Sequence, residues 1–88
     1  MKHYSSPFLN ILPKLDVHGY TKDTVYVVVS DFINDNIHLR NNKILIIHGI
    51  GNHILSNEIK LRFSKDKRVN KLYISSENIG CTIIELNI

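Results

Sequence analysis

Lys22-Asp23-Thr24-Val25-Tyr26-Val27-Val28-Val29-Ser30-Asp31-Phe32-Ile33-Asn34-Asp35-Asn36-Ile37-His38-Leu39 is the stretch whose reading decides the fold of this chain. Its middle, Val25 to Val29, is dense in β-branched residues, which favour a pleated strand. Spacing argues the other way. Val25, Val28, Val29, Phe32, Ile33 and Ile37 recur at intervals of three and four, while Asp31, Asn34 and Asp35 fall on another face. The run is also long for a strand. Thr21 just ahead of it suits a helix N-cap, and Asp23 suits the positive first turn. The spacing therefore predicts a helix from Lys22 to about Leu39.

The neighbours of that helix read as strands. Residues 14 to 18 form the first, and Arg40-Asn41-Asn42 is a turn into the second, Lys43 to His48. Ile44 to Ile47 is continuously apolar, as in an interior strand covered on both faces. Gly49 to Asn52 make a glycine-bearing loop, and a second helix is expected from about His53 to Ser64, burying Ile54, Leu55, Ile59 and Phe63. Val69 to Ser75 is a third strand, Ser76 to Cys81 a turn, and Thr82 to Leu86 a last strand. The predicted order is β-α-β-α-β-β, an α/β two-layer sandwich with a four-stranded mixed sheet and two helices. Ahead of this domain (14–88), residues 1–13 carry Phe8, Leu9, Ile11 and Leu12 between Pro7 and Pro13. Four apolar residues predict an arm packed on the domain.

The chain has 88 residues, enough for one modest core, and 43 % hydrophobic with 22 % charged residues is ordinary for a soluble globule. No apolar run approaches the roughly 18 residues of a membrane span, and no signal-peptide pattern opens the chain. Cys81 is the single cysteine, which excludes an internal disulfide and favours a reducing, cytoplasmic setting. A small buried hydrophobe is its expected role. Alanine, glutamine and tryptophan are absent while isoleucine, asparagine and lysine abound, a bias that suits AT-rich coding and inflates lysine. The net charge of +3 is thus weak evidence by itself. Its distribution says more: Lys60, Arg62, Lys65, Lys67, Arg68 and Lys71 stand against Asp66 alone. Such a cluster suits a phosphate-tracking surface, or else a solvated helix end whose cations face the negative pole of the dipole.

Chemistry concentrates in two similar segments, Asp16-Val17-His18-Gly19 and Ile46-Ile47-His48-Gly49-Ile50-Gly51. Each is a strand that ends in histidine followed by glycine. Alternation along a strand puts Asp16 and His18 on one face, and glycine permits a sharp turn. Parallel crossovers bring the ends of the first two strands to one edge, where ligands of open α/β sheets bind. Asp16, His18 and His48 then form an acid–base set. Each also has a structural reading: Asp16 as a cap of backbone donors, His18 as a satisfied structural histidine. The Gly49–Asn52 loop ahead of a helix suits contact of Gly49, Gly51, Asn52 and His53 with a phosphate. No cofactor is expected, and no Cys/His pair has zinc-finger spacing.

Taken together, these segments resemble the Smr (small MutS-related) domain family. That family is marked by L-D-x-H-G, H-G-x-G-x-G and G-x-T-x-V-x-L segments. Here they correspond to Leu15-Asp16-Val17-His18-Gly19, His48-Gly49-Ile50-Gly51 and Gly80-Cys81-Thr82-Ile83-Ile84-Glu85-Leu86, in order over residues 14–87. The resemblance implies a β-α-β-α-β-β fold and an endonuclease that cleaves RNA or nicks DNA. It also implies nucleic acid, and a ribosome or repair ATPase, as partners, with no membrane involved. The pattern is broken in three places. The last glycine of the second segment is His53, a frequently basic position after it is Ser56, and a glycine pair before Gly80 is Glu77-Asn78. A non-catalytic nucleic-acid- or ribosome-binding module is the alternative that these departures motivate. If the substrate is RNA, its 2′-hydroxyl can attack without metal; hydrolysis of DNA needs an activated water, which a divalent metal usually supplies.

Overall fold

The computed structural model of the chain describes residues 11–51 and 53–88. Its elements are β1 (Lys14–Asp16), α1 (Lys22–His38), β2 (Lys43–Ile47), α2 (Ile54–Phe63), β3 (Val69–Ile74) and β4 (Cys81–Leu86). The four-stranded sheet runs β1-β2-β4-β3, with β1 and β2 parallel and β4 antiparallel to both its neighbours. This is the mixed α/β sandwich that the periodicity predicts.

Helix α1 starts where the sequence places its cap, with the Thr21 hydroxyl accepting from the Thr24 amide at 3.2 Å. Its valine run is helical because Val25, Val29 and Ile33 fall on one stripe and are fully buried. Core packing outweighs their β-propensity. The helix stops in a Schellman arrangement: Arg40 adopts a left-handed backbone (φ 63), its amide donates to Ile37, and the Asn41 amide reaches back to Asn36. Asn36, a polar residue on the buried stripe, is satisfied by donating to the Phe32 carbonyl and accepting from Asn41.

Both helices cover one face of the sheet, enclosing Val17, Ile44, Ile46, Ile59, Phe63, Ile84 and Leu86. Leu12, Leu45, Cys81 and Ile83, with Ile47 against them, form a smaller cluster on the opposite face. Of the expected N-terminal arm, residues 11–13 are described: Leu12 packs into this cluster and Ile11 is exposed. Residues 1–10, and most of the arm, lie outside the described residues. Cys81 is buried in that cluster, and burial pushes its thiol above the ordinary value, as does the Asp16 charge.

Helix α2 differs from expectation in its buried side. Ile59 and Phe63 are buried, but Ile54 is exposed, and Ser56 and Glu58 are buried instead. Glu58 accepts from Arg62 Nε at 2.7 Å one turn on, so a carboxylate at this depth is paired. The Arg62 guanidinium lies over the Tyr26 ring, which stacks on Phe63 and joins the two helices. Among the described residues no helix is long and apolar enough to cross a membrane.

Candidate active site

The first segment turns where its glycine predicts. The Tyr20 amide donates to the Val17 carbonyl at 3.1 Å, with Gly19 at φ +82 in the third turn position. Val17 is fully buried and donates to the Ile47 carbonyl, which anchors the turn to β2. Asp16 and His18 stand outward on either side of it. His18 Nδ1 and Asp16 Oδ1 are 2.5 Å apart, and the same oxygen accepts from the His18 amide at 3.1 Å. Asp16 therefore holds the ring in the tautomer with a proton on Nδ1 and leaves Nε2 for other work. Burial works to raise the Asp16 pKa, but the hydrogen bonds and charge of His18 outweigh it and hold the carboxyl below its ordinary value. The His18 side chain is 70 % exposed.

Gly49 lies beside this pair. Its backbone is left-handed (φ +84), and a side chain there would stand 3.7 Å from His18 Cβ. The third segment closes on the same point. Gly80 has Gly49 backbone atoms 3.4 and 3.5 Å from where its own Cβ would be, and its carbonyl accepts from both the His48 and Gly49 amides. Three strand ends meet at one spot. The glutamate and asparagine of the Glu77-Asn78 pair sit in a loop held by side chains. Ser75 Oγ accepts from both their amides, and Asn78 Oδ1 accepts from Gly80. Those bonds fix a turn that glycines would otherwise make by conformational freedom.

His48 reaches the same rim but faces the other way. Its ring is buried, with Nδ1 2.9 Å from the Gly49 carbonyl and Nε2 2.8 Å from Thr82 Oγ1. A carbonyl only accepts, so Nδ1 carries the proton and Nε2 accepts from the Thr82 hydroxyl when the ring is neutral. Burial pushes its pKa below the ordinary histidine value, against the hydrogen bond to Gly49, which favours the charged form. His18 and His48 thus differ in exposure and in free ring nitrogens, although their sequence contexts match.

A cleft of about 290 Å³ opens between Gly19, Tyr20, the Gly49–Gly51 loop and the start of α2 at His53 to Ser56. The Gly49 amide points inward to Gly80, whereas Ile50 and Gly51 make no hydrogen bond to a described residue. His53 adopts a left-handed backbone (φ 66) ahead of α2, a conformation that the glycine of the motif would adopt without strain. Asn52 lies outside the described residues. Among the described residues no three His, Cys, Asp or Glu side chains converge to hold a metal.

The basic cluster is divided. Arg68 donates to Asp66, to the Ser30 carbonyl and hydroxyl, and to Asn34 Oδ1, which ties the start of β3 to α1. Arg62 is held by Glu58 and Tyr26. Lys60, Lys65, Lys67 and Lys71 are exposed and have no partner among the described residues. Sequence reasoning did not single out Thr82 as the partner of His48. Its signal is a hydroxyl inside the apolar run Cys81-Thr82-Ile83-Ile84.

The Smr domain family profile matches residues 15–87. The chain belongs to the Smr family. That family includes nuclease-related, nucleic-acid-binding modules. Among solved structures, the crystal structure of the Smr domain of Thermus thermophilus MutS2 is similar, with a TM-score of 0.83 and 21 % identity. The match covers 88 % of this chain and 100 % of that one. At this identity it establishes the Smr fold. Comparison with curated proteins yields no match.

Proposed function

We propose that this Smr domain is an endonuclease that cleaves phosphodiester bonds in RNA or nicks DNA, with His18 moving the proton and Asp16 orienting its ring. The observation that carries this reading is the exposed dyad: Asp16 occupies Nδ1, and Nε2 has no partner among the described residues. With RNA, Nε2 takes the 2′-hydroxyl proton and O2′ bonds to phosphorus. The P–O5′ bond breaks, the leaving oxygen takes a proton from solvent, and a 2′,3′-cyclic phosphate remains. A phosphate is held by the free amides of Ile50 and Gly51, beside Gly49 and His53; Asn52, expected to share that contact, lies outside the described residues. His48 serves as a positioning residue. Bonded to Thr82 and to Gly49, it fixes the loop against the dyad.

The test is cleavage of matched ribo- and 2′-deoxyribo-oligonucleotides in EDTA, with melting curves beside it. His18→Ala and Asp16→Asn should lower the rate by roughly 10²–10⁴-fold, the usual contribution of a general acid or base, while binding persists. A folded double variant that cuts at the wild-type rate ends the catalytic reading, and equal cutting of both substrates in EDTA ends 2′-hydroxyl attack. The second reading, binding without cleavage, is favoured by one observation: the Gly49 amide is already committed to Gly80.

A further inference from the structure

The cleft at the glycine loop does not end at α2. It shares His53 and Ser56 with a groove of about 530 Å³ between α2 and the edge strand β3. That groove in turn shares Asn57 and Lys60 with a shallower depression reaching Lys65. His53, Asn57, Lys60 and Ser64 are spaced by four, three and four, which is one face of a helix. The three concavities form one trough, and from His53 to Lys65 it follows about 18 Å of helix axis.

We propose that this trough is the path of a single-stranded nucleic-acid segment, with phosphates at Lys60 and Lys65 and bases against Ile74 and Ile79. The proposal rests on the endonuclease reading for the end of the path, at the Gly49–Gly51 loop beside the dyad; Asp16 and His18 do not themselves line the cleft, and the binding chemistry stands on the trough alone. No aspartate or glutamate lines any of the three concavities, in a chain that has eight such residues. Both lysines are exposed and carry no partner among the described residues, whereas the arginines of the same cluster are committed to packing α1 against α2 and β3. Charge complementarity therefore selects a polyanion.

The floor selects an unpaired one. Leu72, Ile74 and Ile79 give it apolar surface, with Ile74 and Ile79 exposed. The Tyr73 ring is not part of that floor: Tyr73 pairs with Ile83, so its side chain stands on the face away from the helices, where its hydroxyl donates to Glu85 at 2.8 Å. The apolar faces of bases fill such a floor. A duplex offers its phosphates but keeps its base faces inside, and would leave this floor wet. The trough also resolves a mismatch in the basic cluster. Lys60 and Lys65 lie on the route to the site, and Lys67 and Lys71 do not line it.

The experiment is anisotropy binding of wild-type protein to short 2′-O-methyl oligonucleotides, single-stranded and duplex, over a salt series. These strands have no free 2′-hydroxyl to attack, so binding is read separately from cleavage. Lys60→Gln/Lys65→Gln should reduce the slope of log affinity against log salt by about 1.4, two phosphates at roughly 0.7 each for a single strand. Ile79→Ser should weaken single-strand binding about fivefold with the slope unchanged, through lost apolar contact. A melting curve like that of wild type shows that the loss is not one of folding. Lys67→Gln/Lys71→Gln should change neither quantity. An unchanged slope for Lys60→Gln/Lys65→Gln, duplex binding as tight as single-strand binding, or absence of single-strand binding would each overturn the path. Loss of cleavage in His18→Ala with these slopes intact supports both readings. Intact slopes with no cleavage in wild type would sink the endonuclease and leave the path standing.

Discussion

Thr82→Val isolates the contact between the second and third family segments. The substitution keeps the volume and branching of the side chain but removes the hydroxyl that His48 Nε2 faces at 2.8 Å. Thr82 is fully buried and His48 nearly so, which keeps bulk water from filling the lost place. The substitution leaves a buried acceptor unpaired, which costs about 1–3 kcal/mol, more than the net worth of an ordinary hydrogen bond. The expected loss is the middle of that range, about 2 kcal/mol. For a domain of this size, each kcal/mol moves the midpoint by about 4–8 °C, which predicts a Tm lower by roughly 8–16 °C. Urea unfolding should give the same loss with an unchanged m-value. A cycle with His48→Ala should show coupling of at least about 1 kcal/mol, because the second change has no bond left to break. A Thr82→Val midpoint within about 2 °C of wild type, or additivity in the cycle, would refute the contact as a source of stability.

Other perturbations read other parts of the same framework. His48 has a folded-state pKa depressed below 6.5, so its contribution to stability is present above that pH and is lost as pH falls toward the folded-state value. Stability measured from pH 7.5 down to 5.5 should therefore fall, and a folded His48→Asn protein should show a flatter profile. Arg68→Ala should cost about 2–3 kcal/mol in denaturant unfolding, since it removes charged hydrogen bonds to Asp66, Ser30 and Asn34. Asp66, whose pKa Arg68 lowers despite burial, adds stability above 3.8 that disappears as pH falls through its folded-state value; Asp66→Asn should remove that acid-range slope. His53→Gly should stabilise the domain by up to about 1 kcal/mol, relief of left-handed strain being partly offset by glycine entropy, and a lower Tm would show that the His53 ring contributes packing.

Most of the architecture was legible because it depends on periodicity. Val25, Val29 and Ile33 mark α1 so strongly that local β-propensity could not overturn it, and Ile44 to Ile46 are buried as an interior strand requires. Helix α2 was read less well on its faces. Ile54 is apolar by type yet sits on the first turn at the rim of the cleft, while Ser56 and Glu58 are polar by type yet buried, each bonded one turn away to His53 and Arg62. The Ser56 hydroxyl donates to the carbonyl of His53, the left-handed residue ahead of the helix. The charge cluster was visible as a count but not as a division. Whether an arginine is committed or free depends on Ser30 and Asn34, 38 and 34 residues away in sequence from Arg68. Long-range partners of this kind leave no local trace.

The two His-Gly segments show most clearly what register adds to sequence. Asp16 pairs with Ile47 across the parallel β1–β2 ladder. One step further sets Val17 level with His48, and two steps set His18 level with Gly49, in agreement with the closeness of Gly49 to His18 Cβ. The histidines are therefore offset by one residue, and one residue in a strand exchanges faces. Val17 and His48 share the helix-covered side, where burial disfavours the charged form of His48 and its ring nitrogens are both bonded. His18 shares the open side with Asp16, where an imidazole can exchange protons. Similar words in the sequence thus acquire opposite physical tasks. The buried histidine fixes the loop through Thr82 and Gly49, and the exposed one is left with a free nitrogen beside that loop. A chain in which both histidines lay on the same face would have either two solvated imidazoles and an unpinned loop, or two buried ones and no proton acceptor at the rim.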